Sequence, residues 1–218
     1  MNAKQNNILE KRFPLWILAG GKGSRVGKSK GLIEINSKLW IVHLIDKYAE
    51  LDGSSVFIGL GADSEEYYNA ISWLPKPNHQ GYYQDLIVHT LINEDWRNGQ
   101  FSTLSMMSQE FNSSSPVWML PVDCYLPNKE LLVKLEKEKD LHSLVVIPTF
   151  EGRRGHPIII DGSLRQTFQN YDVKNQASRL DYIIRSLNDN KVKLIEVSDP
   201  KVLTNLNYPH NWDILKSS

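Results

Sequence analysis

The stretch LAGGKGSRVGKSKG, residues 18–31, holds five glycines and four cations, Lys22, Arg25, Lys28 and Lys30, directly behind the apolar run FPLWILA of residues 13–19. Glycines let a backbone come close to a ligand and present N–H groups without side-chain obstruction, and clustered Lys and Arg supply charge to a polyphosphate. The apolar run reads as a short strand that empties into this loop, and a helical pattern follows over residues 40–51.

Working outward, strand-like segments at 55–60, 86–92, 116–122, 144–148, 157–160 and 192–197 alternate with helix-like segments at 63–74, opened by Asp63, at 102–111, entered at Ser102, and at 128–139. Strands separated by helices predict a mostly parallel sheet with helices on both faces, an α/β three-layer sandwich of Rossmann-like type. No internal repeat or Pro/Gly/Ser-rich linker divides the chain, so a single domain over 1–218 is expected, with a polar leader at 1–12. In open α/β sheets ligands bind beyond the carboxyl ends of the strands, which directs attention to the loops starting at Gly20, Asn93, Asp123 and Glu151.

Composition limits the partners. The 218 residues carry 25 Lys plus Arg and 25 Asp plus Glu, a formal net charge of zero, so no overall field draws the chain to nucleic acid or an anionic membrane. Anion binding must be local. One cysteine, Cys124, cannot form an intramolecular disulfide, and no apolar run approaches the roughly 20 residues of a membrane span. The polar N-terminus lacks a signal-peptide core, and a reducing cytoplasm is the expected location.

Two familiar phosphate loops fail on spacing. A Walker A loop ending in Gly27-Lys28-Ser29 needs glycine at the position of Lys22, and a dinucleotide fingerprint starting at Gly21 and Gly23 needs glycine at the position of Val26.

The loop resembles the signature of the MobA-like nucleotidyltransferases through Gly20, Gly21, Ser24, Arg25, Val26, Gly27 and Lys30, with Val26 where methionine is usual. The resemblance implies a nucleotidyltransferase in which Leu18, Ala19, Gly20, Gly21, Lys22, Gly23 and Ser24 border the nucleoside triphosphate, and Arg25 and Lys30 bind its phosphates. Breaking the α–β phosphoanhydride is a matter of electrostatics and positioning, so cations at the departing pyrophosphate are the expected equipment. The chain departs from the family at Leu32-Ile33-Glu34-Ile35-Asn36-Ser37, where a proline is usual but the turn is kept as Asn36-Ser37.

Asp123, between the apolar run PV and CYLP, stands at the end of a hydrophobic strand, where one carboxylate plus substrate phosphates suffices for magnesium. The family places its metal-binding aspartate in such a segment. Asn128 is the better helix cap there, and Cys124 has no base or cation placed by sequence to make it a nucleophile.

Residues 93–104, NEDWRNGQFSTL, resemble a motif of the molybdenum-cofactor cytidylyltransferase branch, with Ser102 one residue early, which implies that Gly99 and Ser102 border the nucleotide. Gly155-His156-Pro157 resembles the acceptor side of the same branch, and Arg153 and Arg154 beside His156 make a seat for an acceptor phosphate. LTNLNYPHNW, residues 203–212, resembles the family's closing segment; Asn207, with Asn205 as the alternative, could give magnesium a neutral oxygen.

The expected activity is transfer of a nucleoside monophosphate from a triphosphate to a small phosphorylated acceptor with release of pyrophosphate, with CTP and molybdopterin cofactor as the pair the resemblance implies. Sugar-phosphate or choline-phosphate acceptors, and a nucleotide-binding module without turnover, are the alternatives.

Overall fold

Leu15, Trp16, Ile17, Leu18 and Ala19 are all buried, so this run can satisfy its backbone only with strand neighbours on both sides, and it forms the middle of the sheet. The chain was described from a computed structural model over residues 12–22, 29–111, 113–175 and 178–207. In chain order the elements are β1 (Leu15–Ala19), β2 (Glu34–Ile35), β3 (Lys38–Leu39), α1 (Trp40–Glu50), β4 (Ser55–Leu60), α2 (Ser64–Ala70), β5 (Gln80–Tyr83), β6 (Leu86–Ile92), α3 (Gln100–Glu110), β7 (Val117–Pro121), α4 (Lys129–Glu138), β8 (Val145–Phe150), β9 (Arg153–Arg154), β10 (Ile158–Ile160), α5 (Gly162–Gln166), α6 (Leu180–Ser186) and β11 (Val192–Glu196).

Among the described residues nine strands form one sheet in the order β11-β8-β10-β7-β1-β4-β6-β5, with β9 paired to β8. The pairs β7–β1, β1–β4, β4–β6 and β8–β11 are parallel; β10, β5 and β9 run against their neighbours. Alternate residues of β1 serve opposite cores. Leu15, Ile17 and Ala19 pack with α1, α2 and α4, whereas Trp16 and Leu18 pack with α3, α5 and α6. Each fully buried Leu or Ile contributes about 1.5–3 kcal/mol, and these two cores make the mixed, mostly parallel sheet the rigid middle layer of three.

The expected fold class is the observed one, with local differences. The helix expected to open at Ser102 starts at Gln100, because Gly99 takes φ +88° and turns the chain into the helix two residues sooner. The helix expected to 74 ends at Ala70. Edge strand β5 and the short helices α5 and α6 carry too little periodicity to stand out in the sequence. Asn36 and Ser37, with φ of 52° and 62°, form the two-residue turn between β2 and β3, so the missing proline is no obstacle there.

Close backbone approach fixes the exit from β1. A Cβ placed on Gly61, at the end of β4, would stand 2.2 Å from the Gly20 carbonyl oxygen, and one on Gly20 would stand 2.4 Å from Thr103 Oγ1 in α3. Gly61→Ala is therefore expected to destabilise the fold by about 1–3 kcal/mol, read as a lower urea midpoint at unchanged slope. An unchanged midpoint would mean that Gly20 is not held in this way.

Candidate active site

The chain leaves β1 through α1 to β4 on one side, and reaches β7 on the other side only after β6 and α3. The connections diverge between β1 and β7, and a crevice opens beyond their carboxyl ends. Gly20 follows β1 there, and Asp123 stands two residues beyond β7.

The far end of the glycine loop is anchored in this crevice. Ser29 is buried and its hydroxyl donates to Tyr67 Oη at 3.0 Å, while the Gly31 Cα lies so close to Tyr67 that a Cβ would come within 2.4 Å of that oxygen. Burial pushes the Tyr67 phenol up to about 12, so it remains a neutral hydrogen-bonding group. Between these anchors Lys30 begins a short 3₁₀ turn and extends its ammonium across the crevice. Its Nζ donates to Asp123 Oδ2 and to Asn207 Oδ1, both at 2.6 Å.

Asp123 and Asn207 are brought together by the backbone. Leu206 N–H donates to the Asp123 carbonyl at 2.7 Å, and Cys124 and Asn205 form an antiparallel bridge. Asn205 Oδ1 accepts from Asn207 Nδ2 at 2.6 Å, which turns the Asn207 carboxamide so that its oxygen faces Lys30. Of the two asparagines, Asn207 thus presents an oxygen to the cation and Asn205 braces it. Trp40 Nε1 donates to the Val122 carbonyl at 2.7 Å, securing the start of α1 behind Asp123.

A cavity of about 930 Å³ lies on the α3–α6 face of the sheet, lined by residues other than Lys30, Asp123 and Asn207. Its floor includes Leu18, Met119, Ile147 and Ile158 from four neighbouring strands, and its polar rim carries Arg97, Arg154, Lys174 and Arg179 against one acid, Asp181. Such a rim favours an anion.

The other expected site residues fall as follows. Gly99 lines the cavity at the start of α3, and a Cβ there would meet nothing within 4 Å. Ser102 is buried, its hydroxyl accepts from Asn93 Nδ2 at 2.8 Å and is directed at the Gly99 and Asp95 carbonyls, so it braces the loop from within. Leu18 lines the cavity, while Ala19 faces the opposite core. Gly21 and Lys22 are exposed. Gly23, Ser24 and Arg25 lie outside the described residues. Arg154 lines the cavity, whereas Arg153, its neighbour on strand β9, is not among the lining residues, as strand alternation would place it on the other face.

His156 lines the cavity with Nδ1 shut off from solvent and unpartnered. Burial lowers its pKa to about 4, against a smaller opposing pull from the Asp123 carboxylate, so the ring is neutral at neutral pH. Burial and the adjacent carboxylate push the Cys124 thiol well above its ordinary range, in keeping with an inert side chain. Arg97, Lys174 and Arg179 were not among the expected site residues. Their signal in the sequence is weak, since each is a single cation in a polar, aperiodic stretch.

Among the described residues no three His, Cys, Asp or Glu side chains gather into a metal cage. The fit to a metal rests on Asp123 Oδ2 and Asn207 Oδ1, hard oxygen donors that already hold a cation between them. Such a pair suits a small divalent ion that completes its shell with water and substrate phosphate.

A family model described as MobA-like NTP transferase domain matches residues 15–191. Among solved structures, a nucleotidyl transferase from Methanothermobacter thermautotroptrophicus (Mth528) superposes with a TM-score of 0.72 at 15% identity, over 94% of this chain and 96% of that one. Molybdopterin-guanine dinucleotide biosynthesis protein A from Archaeoglobus fulgidus gives 0.68 at 13%, over 94% and 97%. Rv0371C of Mycobacterium tuberculosis H37Rv in complex with manganese gives 0.65 at 9%, over 95% and 100%. At these identities the likeness shows the fold. No match was found among curated proteins. No helix of the described residues is long and apolar enough to cross a membrane.

The neutral His156 gives a pH signature. Its folded pKa lies below the ordinary 6.5, so the unfolded chain binds the extra proton first, and the stability present above pH 6.5 is lost as pH falls toward 4. Between pH 7 and pH 5 the wild type should lose about 2 kcal/mol through this group, and His156→Gln should lose correspondingly less, as measured by urea unfolding at both pH values. Parallel losses in the two proteins would contradict a buried neutral ring.

Proposed function

The chain belongs to the MobA-like NTP transferase domain family, and on that premise we propose that it transfers a nucleoside monophosphate from a nucleoside triphosphate to a phosphorylated acceptor and releases pyrophosphate. The observation that carries this reading is the meeting of Lys30, at the end of the glycine loop, with Asp123, beyond β7, at 2.6 Å. A loop suited to polyphosphate and a carboxylate suited to its counter-ion thus serve one crevice.

An acceptor phosphate oxygen attacks the α-phosphorus in line, the bond from that phosphorus to the bridging oxygen breaks, and its electron pair leaves with pyrophosphate. The acceptor oxygen is already deprotonated at neutral pH, so no side chain has to serve as base. The backbone of Gly20, Gly21 and Gly23 and the hydroxyl of Ser24 would cradle the triphosphate, and Arg25 and Lys30 would neutralise the departing charge. Asp123 and Asn207 would hold a magnesium ion, which when bound supplies Lewis-acid polarisation of the α-phosphate. The open space over Gly99 leaves room for the nucleotide at the start of α3.

Arg154 is our candidate for the acceptor phosphate, with His156 as a neutral hydrogen-bonding neighbour in the cavity. CTP and molybdopterin cofactor are the proposed pair, supported by the resemblance of residues 93–104 and of Gly155-His156-Pro157 to the cytidylyltransferase branch.

Pyrophosphate release, assayed with each of the four triphosphates against molybdopterin, sugar-phosphate and choline-phosphate acceptors, tests the reading. One pairing should turn over. Triphosphate binding with no release under any pairing would make the chain a binding module. In the active pairing Asp123→Asn should lose about 100-fold or more in kcat, and by a larger factor than it loses triphosphate affinity; undiminished turnover would contradict the metal assignment.

A further inference from the structure

The ammonium of Lys30 occupies the place between Asp123 Oδ2 and Asn207 Oδ1, 2.6 Å from each. Those two oxygens are hard donors of the kind a divalent ion takes, and an ammonium and such an ion cannot both lie between them. The Lys30 and Asp123 side chains are 23% and 19% exposed, so water screens the pair only in part. The donors are also held in place: Asn205 fixes the direction of the Asn207 oxygen, and Leu206 N–H holds the Asp123 backbone. Lys30 is the member of the cluster with a long, unbranched stem, and its backbone is anchored next to Ser29 on the glycine loop.

We propose that Lys30 is a tethered stand-in for the divalent ion, holding the seat closed until a triphosphate enters the loop and draws the ammonium onto its phosphates. This rests on the nucleotidyltransferase reading and adds an order to it. Metal alone meets a seat already neutralised by a charge of its own sign. When a triphosphate enters, its negative charge attracts Lys30, the two oxygens are freed, and a phosphate oxygen becomes a further ligand for the ion. Metal and nucleotide therefore bind as a coupled pair, and by linkage each raises the affinity of the other by the same factor. The coupling also keeps the seat from holding an ion when there is no substrate to polarise.

The test is a titration of the full chain with Mn2+, followed by electron paramagnetic resonance of the free ion, with and without α,β-methylene analogues of ATP, CTP, GTP and UTP. The wild type should bind Mn2+ weakly alone, and about tenfold or more tightly with the analogue that fits. Lys30→Met, which keeps the stem and removes the charge, should bind Mn2+ alone about tenfold more tightly than the wild type and lose most of the coupling. Lys30→Ala should do the same, which guards against a packing effect of one replacement. Adding Asp123→Asn to Lys30→Met should abolish the gain, placing the ion at this seat. A lysine that serves only as a phosphate contact would leave the metal-alone affinity unchanged in both variants, and that result overturns the proposal. Failure of every analogue to bind the wild type would overturn the nucleotide reading instead, while the metal-alone comparison still decides the role of Lys30.

Discussion

The cation bridge from Lys30 to Asp123 and Asn207 is the contact on which the site depends. It joins three stretches of chain far apart in sequence: the end of the glycine loop, the exit from β7 and the segment that follows β11. The first is fixed by Ser29 on Tyr67 and the second by the parallel pairing of β7 with β1, while the third is tied to the second by the bridge between Cys124 and Asn205. A partly buried carboxylate is costly to leave without a partner, and the ammonium supplies one.

The sheet makes this meeting possible. Because β1 and β7 are adjacent and parallel, residues just past their ends leave the same edge of the sheet, and a loop on one faces a carboxylate on the other without a long side chain having to bend back. The glycines at 20 and 61 admit the close approach of backbones that sets the loop's starting direction. The cavity under α3 and α6 has an apolar floor because Leu18, Met119, Ile147 and Ile158 belong to the second core, and a cationic rim because its walls come from connecting segments.

Much of this was legible in the sequence, since the deciding signals are local. A strand followed at once by glycines and cations marks the loop, a single Asp closing the run before CYLP marks the opposing carboxylate, and the alternation of periods marks the α/β sandwich. Other features depend on relations that a linear reading does not carry. Ser102 looks like a helix cap, but Gly99, with its positive φ, moves the helix start and buries the hydroxyl. Arg153 and Arg154 look like a pair, and strand alternation separates them. Lys174 and Arg179 join the cavity only because the chain folds back after α5, and β5 is a strand chiefly because β6 offers it an edge. The sequence left Asn205 and Asn207 as alternatives; in the fold Asn207 Oδ1 faces Lys30 while Asn205 Oδ1 accepts from Asn207 Nδ2, a relation no linear reading carries.

The most direct measurement is a crystal structure of the chain with an α,β-methylene triphosphate and Mn2+, with the ion located by anomalous scattering. The account predicts an anomalous peak about 2 Å from an Asp123 carboxylate oxygen, the triphosphate lying along residues 20–31, and the Lys30 ammonium moved from Asp123 onto the phosphates. A triphosphate bound away from the glycine loop, or an ion ligated by that triphosphate but out of reach of Asp123, would contradict it.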